Sequence, residues 1–169
     1  EADTSHAVQL ISQRQLFRFV PDGRLIAKRY LPPGAFVAPS TVLIASVGTF
    51  GEAEVFGRVQ YVSRLSAKWA YSNHILRVTP AHSQHAGWLY AFLRSRSAFR
   101  LLRSFATGSK QQDLHPEMLA ELPVPEASEA DYEQVQRLVD EAFAERDRAY
   151  EAEHQAKQAI LQAVLGEHV

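Results

Sequence analysis

The spacing of apolar and polar positions divides the chain into a strand-rich first part, a helical stretch from Ala86, and one long helix after Ser128. Ala7-Val8-Gln9-Leu10-Ile11, Gln15 to Val20 and Leu25-Ile26-Ala27 read as short strands, because Gln and Arg alternate with apolar residues as on a half-exposed sheet. A Pro21-Asp22-Gly23 turn separates the second from the third. Pro32-Pro33-Gly34 breaks the chain before Thr41-Val42-Leu43-Ile44-Ala45-Ser46-Val47, whose continuous apolar character predicts a strand buried on both faces. Gly48-Thr49-Phe50-Gly51 turns it. Glu54 to Val62 and Asn73 to Val78 are expected to be further strands, the second ended by Thr79-Pro80.

From Ala86 the period becomes helical. Trp88, Leu89, Phe92, Leu93, Phe99, Leu101, Leu102 and Phe105 form apolar faces, and Gly108 is expected to close the segment as a C-cap. Leu122-Pro123-Val124-Pro125 must be extended, since each proline disfavours the α conformation in the residue before it. Ser128 with Asp131 three positions on resembles a capping box and opens the long helix. Along it Tyr132, Val135, Val139, Ala142, Arg146, Ala149, Glu153, Ala156, Ile160 and Ala163 recur at intervals of three and four, a heptad seam. About 36 residues at about 1.5 Å each give a rod of roughly 50 Å, too long for a domain of this size, so it is expected to project and pair with another helix. The alternative is a single helix folded back on its own domain. The expected fold is thus α/β (α+β): a mixed, strand-rich core covered by helices over residues 1–125, then a coiled-coil helix over residues 126–169.

Charge sharpens this division. The whole chain carries 18 Lys and Arg against 19 Asp and Glu, a net charge of -1. Residues 1–112 hold 14 of the basic residues and 5 of the acidic ones, whereas residues 113–169 hold 4 and 14, so the two parts carry +9 and -10. Such asymmetry points to a polyanion-binding part joined to something else. No Cys is present, which removes disulfides and thiolate metal sites and permits a reducing compartment; a cytoplasmic location is expected. No apolar run approaches the roughly 18 residues of a membrane span. Because the chain opens on Glu1 rather than Met, it is expected to be a piece of a longer or processed polypeptide.

No catalytic motif assembles. His-Glu-x-x-His, Gly-x-Ser-x-Gly, a phosphate-binding Gly-rich loop ending in Lys-Ser or Lys-Thr, and Gly-x-Gly-x-x-Gly are all missing. Glu52 and Glu54 have no Lys or Asp partner at a nuclease spacing, and His82 and His85 lack a third ligand nearby and read as surface residues. No metal and no cofactor are therefore expected, and no enzyme activity. The basic residues are better placed. Arg14, Arg18, Lys28, Arg29, Arg58, Arg64, Lys68 and Arg77 lie in or beside strands and loops, interleaved with Gln9, Gln13, Gln15, Tyr30, Gln60, Tyr61, Trp69, Tyr71 and Asn73. Arg can bond guanine through two donors, and Asn or Gln can bond adenine through a donor and an acceptor. Thr107-Gly108-Ser109-Lys110-Gln111-Gln112 is a polar loop that could hold a phosphate through backbone amides and Lys110. Singly, each of these is the composition of an ordinary solvated surface.

The order of features resembles the target-recognition domain and following helix of type I restriction-modification specificity subunits, including relatives fused to methyltransferases. The resemblance rests on Val42 to Gly51, on Asn73-His74-Ile75-Leu76-Arg77-Val78 before the helix Trp88 to Ser95, on Gly108-Ser109-Lys110-Gln111-Gln112-Asp113-Leu114, on Leu119 to Pro125, and on the long helix. The family's Gly-Asp pair before the first of these strands is replaced here by Ala38-Pro39-Ser40.

The resemblance implies a DNA-binding specificity subunit that directs a partner. Double-stranded DNA would meet Arg14, Arg18, Lys28, Arg29, Thr49, Arg58, Arg64, Lys68, Arg77, Ser109, Lys110 and Gln111. Tyr132, Val135, Val139, Ala142, Ala149, Ala156 and Ile160 would meet a second recognition domain, or another copy of the chain. Methyltransferase and restriction subunits would supply the chemistry, with AdoMet held by the methyltransferase and none by this chain. Two alternatives stay open: the recognition domain of a fused restriction-methyltransferase enzyme, and a coiled-coil interaction module that binds no DNA.

Overall fold

In a computed structural model, residues 5–166 are described. The outermost ends of the two expected regions, residues 1–4 and 167–169, lie outside the described residues. The fold is mixed α/β, with three small sheets and a long C-terminal helix. Strands β1 (Ala7–Ile11) and β2 (Arg24–Ala27) pair antiparallel, and β6 (Ala70–Tyr71) joins β1 parallel. The second sheet has β3 (Val42–Ala45) at its centre, antiparallel to β5 (Val59–Tyr61) and to β7 (Ile75–Val78). A two-residue pair, β4 (Val47–Gly48) with β8 (Gln112–Asp113), forms the third.

All of β3 is buried, as its unbroken apolar run predicts, and the period of two explains what each face does. Val42 and Ile44 point into one core with Phe56, Val59, Leu93, Leu102, Val139 and Phe143; this core is roofed by helices α1 (Ala86–Arg94), α2 (Arg96–Ser104) and, after the one-turn α3 (Pro116–Leu119), α4 (Glu129–Leu165). Leu43 points the other way, into a second core with Ile11, Leu16, Val62, Tyr71 and Ile75 under the β1 sheet. The β3 sheet is therefore the middle of three layers.

Four expectations are corrected. Gln15 to Val20 is not a strand: Gln15–Phe17 is a 3-10 turn, because the Gln15 side-chain oxygen accepts from both the amide and the hydroxyl of Ser12 and closes a tight turn, with Leu16 turned inward. The Glu54 to Val62 strand is reduced to Val59–Tyr61. Turns spend the residues before it, Glu54 N–H bonding Gly51 O at 3.1 Å and Arg58 N–H bonding Val55 O at 2.9 Å. The helical stretch after Ala86 is two helices, because Ser95 leaves the helical conformation and its hydroxyl accepts from Ala98 N–H as the N-cap of α2. That stretch ends at Phe105 rather than at Gly108.

The fourth correction concerns α4. It spans 37 residues and begins as expected at Ser128, whose hydroxyl accepts from Asp131 N–H at 3.2 Å. Its first half does not project. Phe143 and Tyr150, which an Ala-based heptad passes over, lie on one stripe with Tyr132, Val135, Val139 and Arg146, and that stripe packs on the chain's own domain. Polar contacts fix the docking: Tyr61 OH donates to Asp140 at 2.8 Å, Ser63 OH and Leu65 N–H donate to Asp147, and Arg146 donates to Arg18 O at 2.8 Å. Ala142, Ala149, Ala156 and Ile160 are exposed, and beyond Tyr150 nearly every described side chain is.

Candidate nucleic-acid interface

The β4 to β8 pairing sets the candidate site. Thr107 and Asp113 exchange backbone hydrogen bonds at 3.0 and 2.8 Å, so residues 107–113 form a tight hairpin hung from β4. Gly108 permits it: its φ is +113°, and a Cβ there would stand 2.1 Å from Gln111 O. Gln112 is buried and its side-chain amide donates back to Gly108 O at 3.1 Å. With the hairpin tied from inside, Ser109, Lys110 and Gln111 are all exposed.

Across from the hairpin, the turn after β1 is pinned to the same short sheet. Gln13 donates to Val47 O and accepts from Val47 N–H, and Arg14 beside it is exposed. The result is a groove of about 360 Å³ lined by Gln13, Arg14, Thr49, Lys110 and Gln111, floored by Gly48 and Phe56 and bordered by Glu54. Two cations, a hydroxyl and two amides thus come from three chain segments, with one carboxylate at the rim. Arg103 stabilises the far wall: it donates to Gly51 O at 3.1 Å, and its guanidinium lies 5.2 Å from the Phe50 ring and 4.8 Å from Phe99.

The other expected DNA-contacting residues are dispersed. Arg18 is held by Asp22 at 2.5 Å, and this partner keeps the Asp22 carboxyl below its ordinary value. Lys28 donates to Ser5 O, and Arg29 lies over Tyr30. Arg64 and Lys68 stand on the loop facing α4. Arg77 is half-buried, its guanidinium donating to the carbonyls of Ile75 and Tyr71, and burial lowers its pKa. Arg58 donates to Glu54 O at 2.8 Å and faces a second cleft with Arg94, Arg96 and Arg100, three residues that the sequence reading did not select. Their signal was there: Arg96, Arg100 and Arg103 follow one another at helical spacing on a short amphipathic helix.

No family model and no curated protein matches the chain.

Among the described residues no three His, Asp or Glu side chains gather as a metal site. His85 stacks on Tyr132 at 4.0 Å, against the start of α4. The groove offers donors, acceptors and exposed positive charge, which suits recognition of a polyanion bearing hydrogen-bonding edges.

Proposed function

We propose that this chain is a DNA target-recognition module of a restriction-modification system, a specificity subunit that directs a partner methyltransferase and nuclease to their site. One observation carries the reading: Arg14, Lys110 and Gln111, selected on the sequence for their chemistry, and Thr49, which the resemblance added, come from three separate stretches of the chain and line one groove. Lys110 and Arg14 suit phosphates, and Gln111 carries the exposed side-chain amide that pairs with adenine edges, whereas Gln13 is engaged with Val47 and holds the wall. The charge division supports it too. A basic body facing DNA and an acidic helix facing protein avoid competing for the same surface. On α4 the exposed residues Leu138, Ala142, Ala149, Ala156 and Ile160 run along one side, next to the stripe docked on the body, and this is where a second helix of the assembly would pack. The chain itself catalyses nothing in this reading.

Fluorescence anisotropy with a duplex at about 50 and 200 mM salt tests it. Each phosphate contact contributes about 0.9 to the slope of log affinity against log salt, so Arg14→Ala with Lys110→Ala should flatten the slope by roughly 1.8 and weaken binding. Lys28→Ala with Arg29→Ala, outside the groove, should leave the slope nearly intact. Equal effects of the two pairs would remove the groove from the reading, and no salt-dependent binding at all would remove the reading itself.

A further inference from the structure

A second cationic cluster lies outside the groove, in a cleft of about 480 Å³ bounded by α2, the loop before β5 and α4. Five arginines line it: Arg58, Arg94, Arg96, Arg100 and Arg146. They face a single carboxylate, Glu52, whose side chain is 78% exposed and lies 3.5 Å from Arg100 and 3.8 Å from Arg96. These are loose single contacts rather than two-pronged pairs, and Glu52 with Asp147, whose charge acts on Arg146, cannot neutralise five guanidinium groups.

Two of the cations, Arg58 and Arg146, are nonetheless held in place. Arg58 donates to the backbone oxygens of Glu52 and Glu54 and lies over the Phe99 ring at 5.6 Å. Arg146 reaches in from α4, anchored on Arg18 O. Burial holds the Arg146 pKa below its usual range, against the opposing pull of Tyr90 and the Asp147 carboxylate. Fixing like charges together against their repulsion is unfavourable for a surface that meets only water; an anion in the cleft reverses the sign of that term. A guanidinium presents a planar fork that matches phosphoryl oxygens, and the volume falls within the range of about 300–1,000 Å³ of small-ligand sites. Phe17 and Phe99 add apolar wall beside the charge.

We propose that this arginine cleft binds adjacent phosphoryl groups. Two sources share that chemistry, the backbone of a nucleic acid and a free nucleoside polyphosphate. The cleft is separate from the groove of Arg14 and Lys110, and the proposal goes beyond the recognition-module reading without depending on it.

Titration calorimetry with sodium pyrophosphate on the intact chain provides the test. Pyrophosphate binds, Arg96→Ala with Arg100→Ala weakens it by about tenfold or more, and Glu52→Gln tightens it several-fold, because charge-assisted bonds are removed in one case and a competing carboxylate in the other. Arg96, Arg100 and Glu52 are all exposed, so thermal melts confirm that the variants stay folded. Displacement of pyrophosphate by a short duplex assigns the cleft to a nucleic-acid backbone, and displacement by ATP but not by duplex assigns it to a free nucleotide. Absent pyrophosphate binding, or equal binding by the double-alanine variant, overturns the proposal. Duplex binding lost only through Arg14→Ala and Lys110→Ala would then leave the recognition reading standing.

Discussion

Replacing Gly87 by alanine probes whether α4 is docked on the body or stands away from it. Gly87 lies in the first turn of α1, and its N–H donates to the Gln136 side-chain oxygen at 2.6 Å. A Cβ at this position would stand 2.6 Å from Gln136 Cα and 3.1 Å from Gln136 N. Ordinary contact begins at 3.4 Å, so α1 and α4 would have to separate by roughly 0.8 Å, and the atoms in the way are backbone. Overpacking of this kind costs about 1–3 kcal/mol, and the strained hydrogen bond about 1 kcal/mol more. Against this, alanine gains up to about 1 kcal/mol of helix propensity over glycine. The net is a destabilisation of about 1–3 kcal/mol, or a fall in Tm of roughly 2–12 °C for a chain of this length. Thermal unfolding followed by circular dichroism reads it directly. Adding Gln136→Ala should not rescue the variant, since it leaves Cα and N where they are. A neutral or raised Tm for Gly87→Ala would mean that only the propensity gain is felt, and the docked position of α4 would be wrong.

Two further outcomes follow from single side chains. Burial pushes the Tyr71 phenol up to about 12, while its hydroxyl donates to Ser66 O at 2.7 Å. The folded state therefore holds this proton more tightly than the unfolded chain, whose value is near 10. The contribution is complete below about pH 10 and is lost as pH rises from there to about 12, by up to roughly 3 kcal/mol. Stability measured by urea unfolding should fall across that window, Tyr71→Phe should make the fall shallower, and a phenolate titrating near 10 in the folded protein would contradict it. Ser95→Ala removes the N-cap of α2 and should cost about 1 kcal/mol, a Tm loss of about 2–4 °C, with Ser95→Asp recovering most of it; equal Tm for serine and alanine would show that the cap contributes nothing.

What the sequence made legible, and what it hid, follows from the range of the interactions involved. The burial of β3 on both faces is written in a run of apolar residues, and the start of α4 in a serine three positions before an aspartate, because both are set within a few residues. Gln15 to Val20 misled because alternation describes side-chain type, whereas the Ser12 and Gln15 side chains had already closed a turn. The heptad reading of α4 favoured small residues and passed over Phe143 and Tyr150, whose partners Tyr61 and Trp69 lie more than eighty residues upstream. The groove was legible as a list of residues but not as a place. Arg14 and Lys110 meet only because Val47–Gly48 pairs with Gln112–Asp113 and Gln13 bonds Val47, a two-residue ladder with no periodic signal of its own. Arg77 looked like a contact residue by type, yet the structure spends its donors on the chain's own carbonyls.

Selection from a randomised duplex library tests the central claim most directly, since sequence reading is what separates a recognition module from a merely basic surface. The intact chain, with its helical partner supplied if it needs one, should enrich a short defined sequence, and Arg14→Ala with Gln111→Ala should lose that enrichment. Recovery of no preferred sequence, or the same preference after the groove is altered, would contradict it.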